Sequence, residues 1–260
     1  MQPVFCFSVG RSGSTLLLRL LNSHEDFALS GEHAGFLKPL LHEIDRMQQD
    51  PVRGHLLKGY EERQSGDEVF SPWRQNHPPE HFVATTARYI QDTFEQPGKV
   101  WGFKETRYKA PEVEVFQKIF PDAHYVLLVR DPLEHTLSAM FAFFRDVPAE
   151  DDDALVIADK RLRNWIKTYE AHKPVFENQV IVTYEDLAAG PEGISAVFRQ
   201  LGHEPPSADQ IDNVLNAKLG SSFVKRRKAR QRKEATTALI TDRSEFYPRA
   251  VELYEELKQS

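Results

Sequence analysis

The chain reads as an α/β protein, a parallel β-sheet flanked by helices, and three stretches predict it. Val4–Val9 is an apolar run that breaks into Gly10-Arg11-Ser12-Gly13-Ser14-Thr15 and resumes as Leu16, Leu17, Leu18, Leu20 and Leu21. That is the pattern of a buried strand, a tight turn and a helix that starts at the turn. Val100–Lys104, bounded by Pro97-Gly98, is a second strand. His124–Val129 is a continuous apolar run with β-branched members, and it ends on Arg130-Asp131-Pro132, where proline suits a helix's first turn. Strands separated by helices in this way pair in parallel through crossover helices.

The remaining elements follow in order. Asp26–Ser30 is a short extended piece ending in Ser30-Gly31-Glu32-His33. Residues 34–98 show no strand alternation: Leu37–Gln49 and His81–Phe94 have helical apolar spacing, and a polar stretch between them carries Pro72, Pro78 and Pro79. The expectation is a helical and loop insert after the first βα unit. Pro111–Phe120 reads as a short amphipathic helix, and Leu155–Phe176 as a longer one behind the acidic cluster Glu150–Asp153. Carboxylates before a helix compensate its dipole, so that cluster is not read as a metal site. Gln179–Val182 is a further strand, followed by Tyr184-Glu185-Asp186-Leu187. Pro191–Leu201 (closed by Gly202), Ala208–Leu219 and Tyr247–Leu257 read as helices, with the basic run Lys225–Lys233 before the last. With no internal repeat and no low-complexity segment, residues 1–260 read as a single domain.

Composition narrows the class. The 260 residues carry 40% hydrophobic and 28% charged side chains, which describes a soluble globular protein. No apolar run approaches the length of a membrane span. The N-terminus enters the first strand without a basic region or a small-residue cleavage site. Cys6 is the one cysteine, which excludes an internal disulfide and a thiolate-rich zinc site and fits a reducing compartment. A cytoplasmic chain with no membrane partner is the expectation. A net charge of −6 argues against a general nucleic-acid binder.

The glycine-bearing turn carries the first chemistry. It aims backbone N–H groups and the positive end of a helix dipole at one spot, which suits an anion. Gly10 and Gly13 allow close approach of the backbone, Ser12, Ser14 and Thr15 add hydroxyls, and Arg11 adds a fixed charge. A triphosphatase loop needs a lysine before its Ser/Thr, but Gly13 stands there, and the dinucleotide G-x-G-x-x-G spacing is missing. The turn therefore suits one phosphate or sulfate-like group better than a magnesium-bound triphosphate tail. An ordinary strand–turn–helix with serine capping is the alternative. Lys104 lies at the carboxyl end of a strand, where open α/β sheets place ligand sites. Arg130 ends the strongest strand and Ser138 lies two helical turns on, a spacing that can bring guanidinium and hydroxyl to one anion.

The phrase GRSGSTLLLRLL resembles the 5′-phosphosulfate-binding loop of sulfotransferases, enzymes that use 3′-phosphoadenosine 5′-phosphosulfate (PAPS) as donor. YVLLVRDPLEHTLSAM is similar to that family's 3′-phosphate-binding motif, with Arg130 and Ser138 at its arginine and serine. Lys104-Glu105 looks like the strand-end Lys-Asp/Glu-x motif, and Tyr184-Glu185-Asp186-Leu187 resembles the nucleotide-contacting Tyr-Glu-x-Leu segment. The Ser-Gly-Glu-His element sits about where tyrosylprotein and related sulfotransferases carry Gly-Glu-Glu, and the motif style is closest to Golgi-type and bacterial members.

The resemblance implies a P-loop-type sheet and a PAPS-dependent sulfotransferase acting on a hydroxyl or amine of a small or carrier-bound acceptor. It implies that Arg11, Ser12, Gly13, Ser14 and Thr15 bind the 5′-phosphate, Arg130 and Ser138 the 3′-phosphate, and Tyr184 the region of the adenine. Lys104 would contact the transferring sulfuryl group, and no metal is required. For the base, counting without gaps from Arg11 favours Glu32 and aligning on the glycine favours His33; Glu32 is preferred. The acceptor pocket falls to residues 34–98. Residues 218–234, with Gly220-Ser221-Ser222 before Lys225, form a loose version of a basic flap; a solvated face and a nucleic-acid patch are the competing readings of that run. A P-loop small-molecule kinase is the rival enzyme, and an anion- or nucleic-acid-binding module the rival without catalysis.

Overall fold

Five strands form one sheet in the order β2-β3-β1-β4-β5, every neighbouring pair parallel. The computed structural model describes residues 1–49, 79–143, 151–217 and 227–259. The strands are β1 (Val4–Ser8), β2 (Phe27–Ser30), β3 (Val100–Glu105), β4 (His124–Val129) and β5 (Val180–Thr183). The chain leaves β1 for the β2–β3 side and then crosses to β4 and β5, so the winding reverses around β1. In sheets of this kind ligands bind where the winding reverses, beyond the carboxyl ends of the strands.

Alternation along β1 divides the core into two layers. Val4 and Cys6 face Leu16, Leu17, Leu20 and Leu21 of α1 (Ser14–Leu21), together with Val126, Leu128 and Phe198. Phe5 and Phe7 face Phe103, Phe116, Tyr125 and Trp165 on the opposite side. A one-residue slip would exchange these faces, so the register is tightly specified. Gly102 pairs with Val4 at φ 139°, and a Cβ there would meet the Val4 carbonyl oxygen at 2.0 Å. Only glycine lets β3 approach β1 this closely, and that approach sets Lys104 two residues later.

The expected insert contributes α2 (Lys38–Gln49) and α3 (Pro79–Phe94) between β2 and β3, and its prolines Pro72 and Pro78 lie outside the described residues. The layer containing Phe5 is completed by α4 (Ala110–Ile119), α5 (Pro132–Phe143), α6 (Asp151–His172), α10 (Arg227–Arg243) and α11 (Tyr247–Lys258). The other layer has α8 (Pro191–Gln200) and α9 (Ala208–Asn216), preceded by the short α7 (Tyr184–Ala188). Two of the boundaries that differ from expectation have a plain physical cause. Asp151, Asp152 and Asp153 form the first turn of α6 instead of preceding it, where carboxylates offset the exposed N–H groups. Pro174, which lacks an N–H, ends α6 at His172, and residues 173–176 continue as a 3-10 turn. Among the described residues no helix is long and apolar enough to cross a membrane.

Candidate active site

Beyond β1 the backbone turns through two left-handed residues, Arg11 (φ 76°) and Gly13 (φ 91°). Gly13 caps α1, and no side chain caps the helix's first N–H groups. A Cβ on Gly13 would meet the ring of Tyr184 at 2.1 Å, so glycine is required by both the φ angle and the packing. Ser12 is fully buried and turns inward: its N–H and its hydroxyl donate to the Val9 carbonyl at 3.3 and 2.5 Å. Ser12 thus braces the loop from within instead of offering a hydroxyl outward. Ser14 is buried at the start of α1, and Thr15 is exposed.

The second motif folds onto this loop. Arg130 Nη1 donates to the Arg11 carbonyl at 3.1 Å, and Arg11 Nε donates to Ser138 Oγ at 3.3 Å. The Arg130 guanidinium lies 4.4 Å from the centroid of the Tyr184 ring, which packs against Gly13. Arg11, Gly13, Arg130, Ser138 and Tyr184 therefore share one place. Glu134, one turn into α5, lies 3.6 Å from Arg130 and 3.1 Å from Lys233 of α10. His135 contacts the Gly10 carbonyl through Nε2 at 2.9 Å from the buried side of α5. Burial holds His135 down to about 4; the Gly10 bond opposes this, and the charges of Arg130, Arg161 and Arg11 reinforce it.

Next to the loop lies a second cluster, at the end of β3. Lys104 shares the face of Cys6, and its Nζ donates to Glu32 Oε1 at 2.7 Å. The lysine side chain is only 4% exposed, against 35% for Glu32. Arg107 Nη1 reaches Glu32 Oε2 and Glu105 Oε1, both at 3.0 Å. Glu105 points to the opposite face of β3 and is fully buried, yet it accepts N–H bonds from His33 (3.2 Å), Gly35 (2.9 Å) and Thr106 (2.8 Å). Burial pushes its carboxyl upward, but those bonds, His33 and Arg107 outweigh it, and the group titrates below its ordinary value.

The two base candidates separate in space. Glu32 faces Lys104 and Arg107, whereas the His33 ring turns inward among Phe36, Phe94, Phe103 and Tyr108. His33 Nε2 lies 3.4 Å from the Tyr108 hydroxyl and Nδ1 lies 3.6 Å from Glu105. Burial lowers its pKa more than Glu105 raises it, so the ring is held neutral.

Sequence reasoning did not single out Arg107, Tyr108, Glu134 or His135, and it took Glu105 only as the companion of Lys104. Of the expected flap, residues 218–226 lie outside the described residues, and from Arg227 the chain is helical. Among the described residues no three His, Cys, Asp or Glu side chains gather as a metal site.

A parallel sheet whose strand-end cations and carboxylates surround a glycine-bearing loop defines an α/β protein with an anion-binding centre at the carboxyl ends of its strands. The chain belongs to the sulfotransferase family, whose model matches residues 3–204, and is a sulfotransferase enzyme. It is similar in structure to a sulfotransferase from Alicyclobacillus acidocaldarius, at 15% identity over 99% of this chain and 95% of that one, with a TM-score of 0.54. It is equally similar to the sulfotransferase domain of the Synechococcus PCC 7002 olefin synthase, at 19% identity over 99% and 94%, with a TM-score of 0.54. At these identities the likeness is one of fold. No curated protein matches the chain by sequence.

Proposed function

We propose that the chain is a PAPS-dependent sulfotransferase that moves a sulfuryl group in line to an acceptor hydroxyl or amine and releases adenosine 3′,5′-bisphosphate. One observation carries the reading: Arg130, at the end of β4, donates to the carbonyl of Arg11 in the loop after β1, joining two distant motifs into one cationic seat. The residues fit such a donor. Arg130 Nε is buried with no hydrogen-bond partner among the described residues, an N–H that an anion would satisfy. A Cβ built on Gly10 would meet no atom of the described residues within 4 Å, so among them the loop has open space beside it.

PAPS, when bound, supplies the activated sulfuryl group and a bisphosphate leaving group. Arg11, Thr15 and the uncapped first N–H groups of α1 hold the 5′-phosphate, with Gly13 permitting close approach and Ser14 at the helix start. Arg130 and Ser138 hold the 3′-phosphate through charge-assisted bonds, and Tyr184 backs the Arg130 guanidinium on the nucleotide side. Ser12 contributes by keeping the loop closed. Lys104 stabilises charge on the sulfuryl oxygens and the departing bridging oxygen, exchanging its contact with Glu32 Oε1 for them. Glu32, so released, accepts the proton of the attacking acceptor. His33, buried and neutral, is the weaker candidate for that step. The acceptor enters over residues 34–98, where Phe36, 43% exposed, stands 4.9 Å from the His33 ring by centroids.

The test is transfer itself. Radiolabelled PAPS and a panel of phenols, alcohols, amines and carrier-bound hydroxyls should give a labelled acceptor with matching bisphosphate release. A label that stays on the donor across the panel, while magnesium-ATP phosphorylates one of the same acceptors, would replace this reading with the kinase.

A further inference from the structure

We propose that Glu105 is a positioning residue for Glu32: from the far face of β3 it grips the 33–35 turn by its backbone and so presents the Glu32 carboxylate to Lys104. The inference rests on the reading of Glu32 as the base.

Two side chains of one strand make the arrangement possible. Lys104 and Glu105 are consecutive in β3 and project to opposite faces, Lys104 beside Cys6 and Glu105 beside Phe7. The turn after β2 must therefore be held from one face while its carboxylate is offered at the other. Ala34 (φ 59°) and Gly35 (φ 67°) are successive left-handed residues, a conformation that costs energy for alanine. This turn aims the N–H groups of His33 and Gly35 at one oxygen, Glu105 Oε2, at 3.2 and 2.9 Å. The other oxygen accepts from Thr106 N–H and from Arg107, and Arg107 also holds Glu32 Oε2. Glu105 thus reaches Glu32 by two routes, through the backbone of the following residues and through a guanidinium. A fully buried carboxylate satisfied by four N–H groups is far more rigid than the half-exposed Glu32 it supports.

Substitution by glutamine keeps size and removes the ability to accept at both ends, because the amide NH2 then faces N–H donors. Two measurements test the proposal on the full chain, the first with adenosine 3′,5′-bisphosphate bound and the second without it. The first is amide hydrogen exchange at His33 and Gly35, which Glu105→Gln should speed at least tenfold while the melting shift given by bisphosphate is kept. Unchanged protection of both amides overturns the proposal. The second is turnover, read as bisphosphate release from PAPS with an acceptor returned by the labelled panel and with water alone. Glu105→Gln should lower kcat on the order of 10²-fold with little change in the donor KM, the scale expected when a reacting group is misplaced. In a Glu32→Gln background the same change should cost nothing further, because the two act as a unit. Independent, multiplying losses overturn the proposal. Normal Glu105→Gln turnover beside a slow Glu32→Gln overturns the positioning alone. A slow Glu105→Gln beside a normal Glu32→Gln overturns both the route through Glu32 and the reading of Glu32 as base.

Discussion

The two halves of the site handle charge in opposite ways. At the nucleotide end, Arg130 donates to a backbone carbonyl and lies over an aromatic ring, Arg11 donates to a serine hydroxyl, and the ion pair of Arg130 with Glu134 is a long one, 3.6 Å. At the transfer end, Lys104 and Arg107 are each bonded to carboxylates at 2.7–3.0 Å. An ion pair as long as that of Arg130 leaves much of the guanidinium's hydrogen-bonding capacity for an incoming anion. Cations already paired must trade partners before they act on anything else. On the proposed reading the first half binds and the second switches.

The largest effect belongs to the base. Glu32→Gln should cut turnover by about 10²–10⁴-fold while sparing bisphosphate affinity, and His33→Asn should cost much less. A dead His33→Asn with a near-normal Glu32→Gln would move the base to the histidine. Next, Lys104→Ala should lower kcat by about 10²–10³-fold, as loss of one charge-stabilising donor does, with little effect on bisphosphate binding. A variant that loses the product nucleotide but keeps turnover at saturating donor would make Lys104 a binding residue and erase the contrast.

Acidity should strike the nucleotide end. Burial, reinforced by Arg130, Arg161 and Arg11 and opposed by the Gly10 bond, depresses His135 from 6.5 to about 4. The folded chain therefore refuses a proton that the unfolded chain accepts. The stability this withholds is fully present above pH 6.5 and is lost as pH falls toward 4, on the order of 3 kcal/mol in all. Burial lowers His33, His124 and His172 in the same direction, adding to that loss. Urea unfolding of His135→Gln, whose amide can still donate to the Gly10 carbonyl, should show a flatter pH dependence over this range. An unchanged slope would mean that His135 is not held neutral.

Much of this was readable from sequence, and what was not has a physical reason. β1 and β4 announce themselves because buried parallel strands are continuous apolar runs, and Arg130 and Ser138 because a strand end and a helix face have fixed periods. Glu105 could not be weighted, since its importance lies in bonds to the N–H groups of His33 and Gly35, some 70 residues earlier. The helix α10 was hidden for another reason. Its first turns come from the run KRRKARQRK, which has no apolar stripe, and the apolar residues Leu239 and Ile240, both buried, come only later in the sequence. The strands and the nucleotide-side signature were thus local features, whereas the support behind Glu32 is a tertiary one.

A seat for the 3′-phosphate of a PAPS-type nucleotide is best distinguished by melting the protein with adenosine 3′,5′-bisphosphate and with 5′-AMP at equal concentration. Native-state binding should raise Tm well above the ligand-free value with the bisphosphate and much less with AMP. Arg130→Ala should weaken the bisphosphate by roughly 1.5–3 kcal/mol, the worth of a charge-assisted bond, and so bring the two shifts together. Equal shifts from both nucleotides in the unaltered protein would contradict the assignment of Arg130 and Ser138, and with it the account of the site.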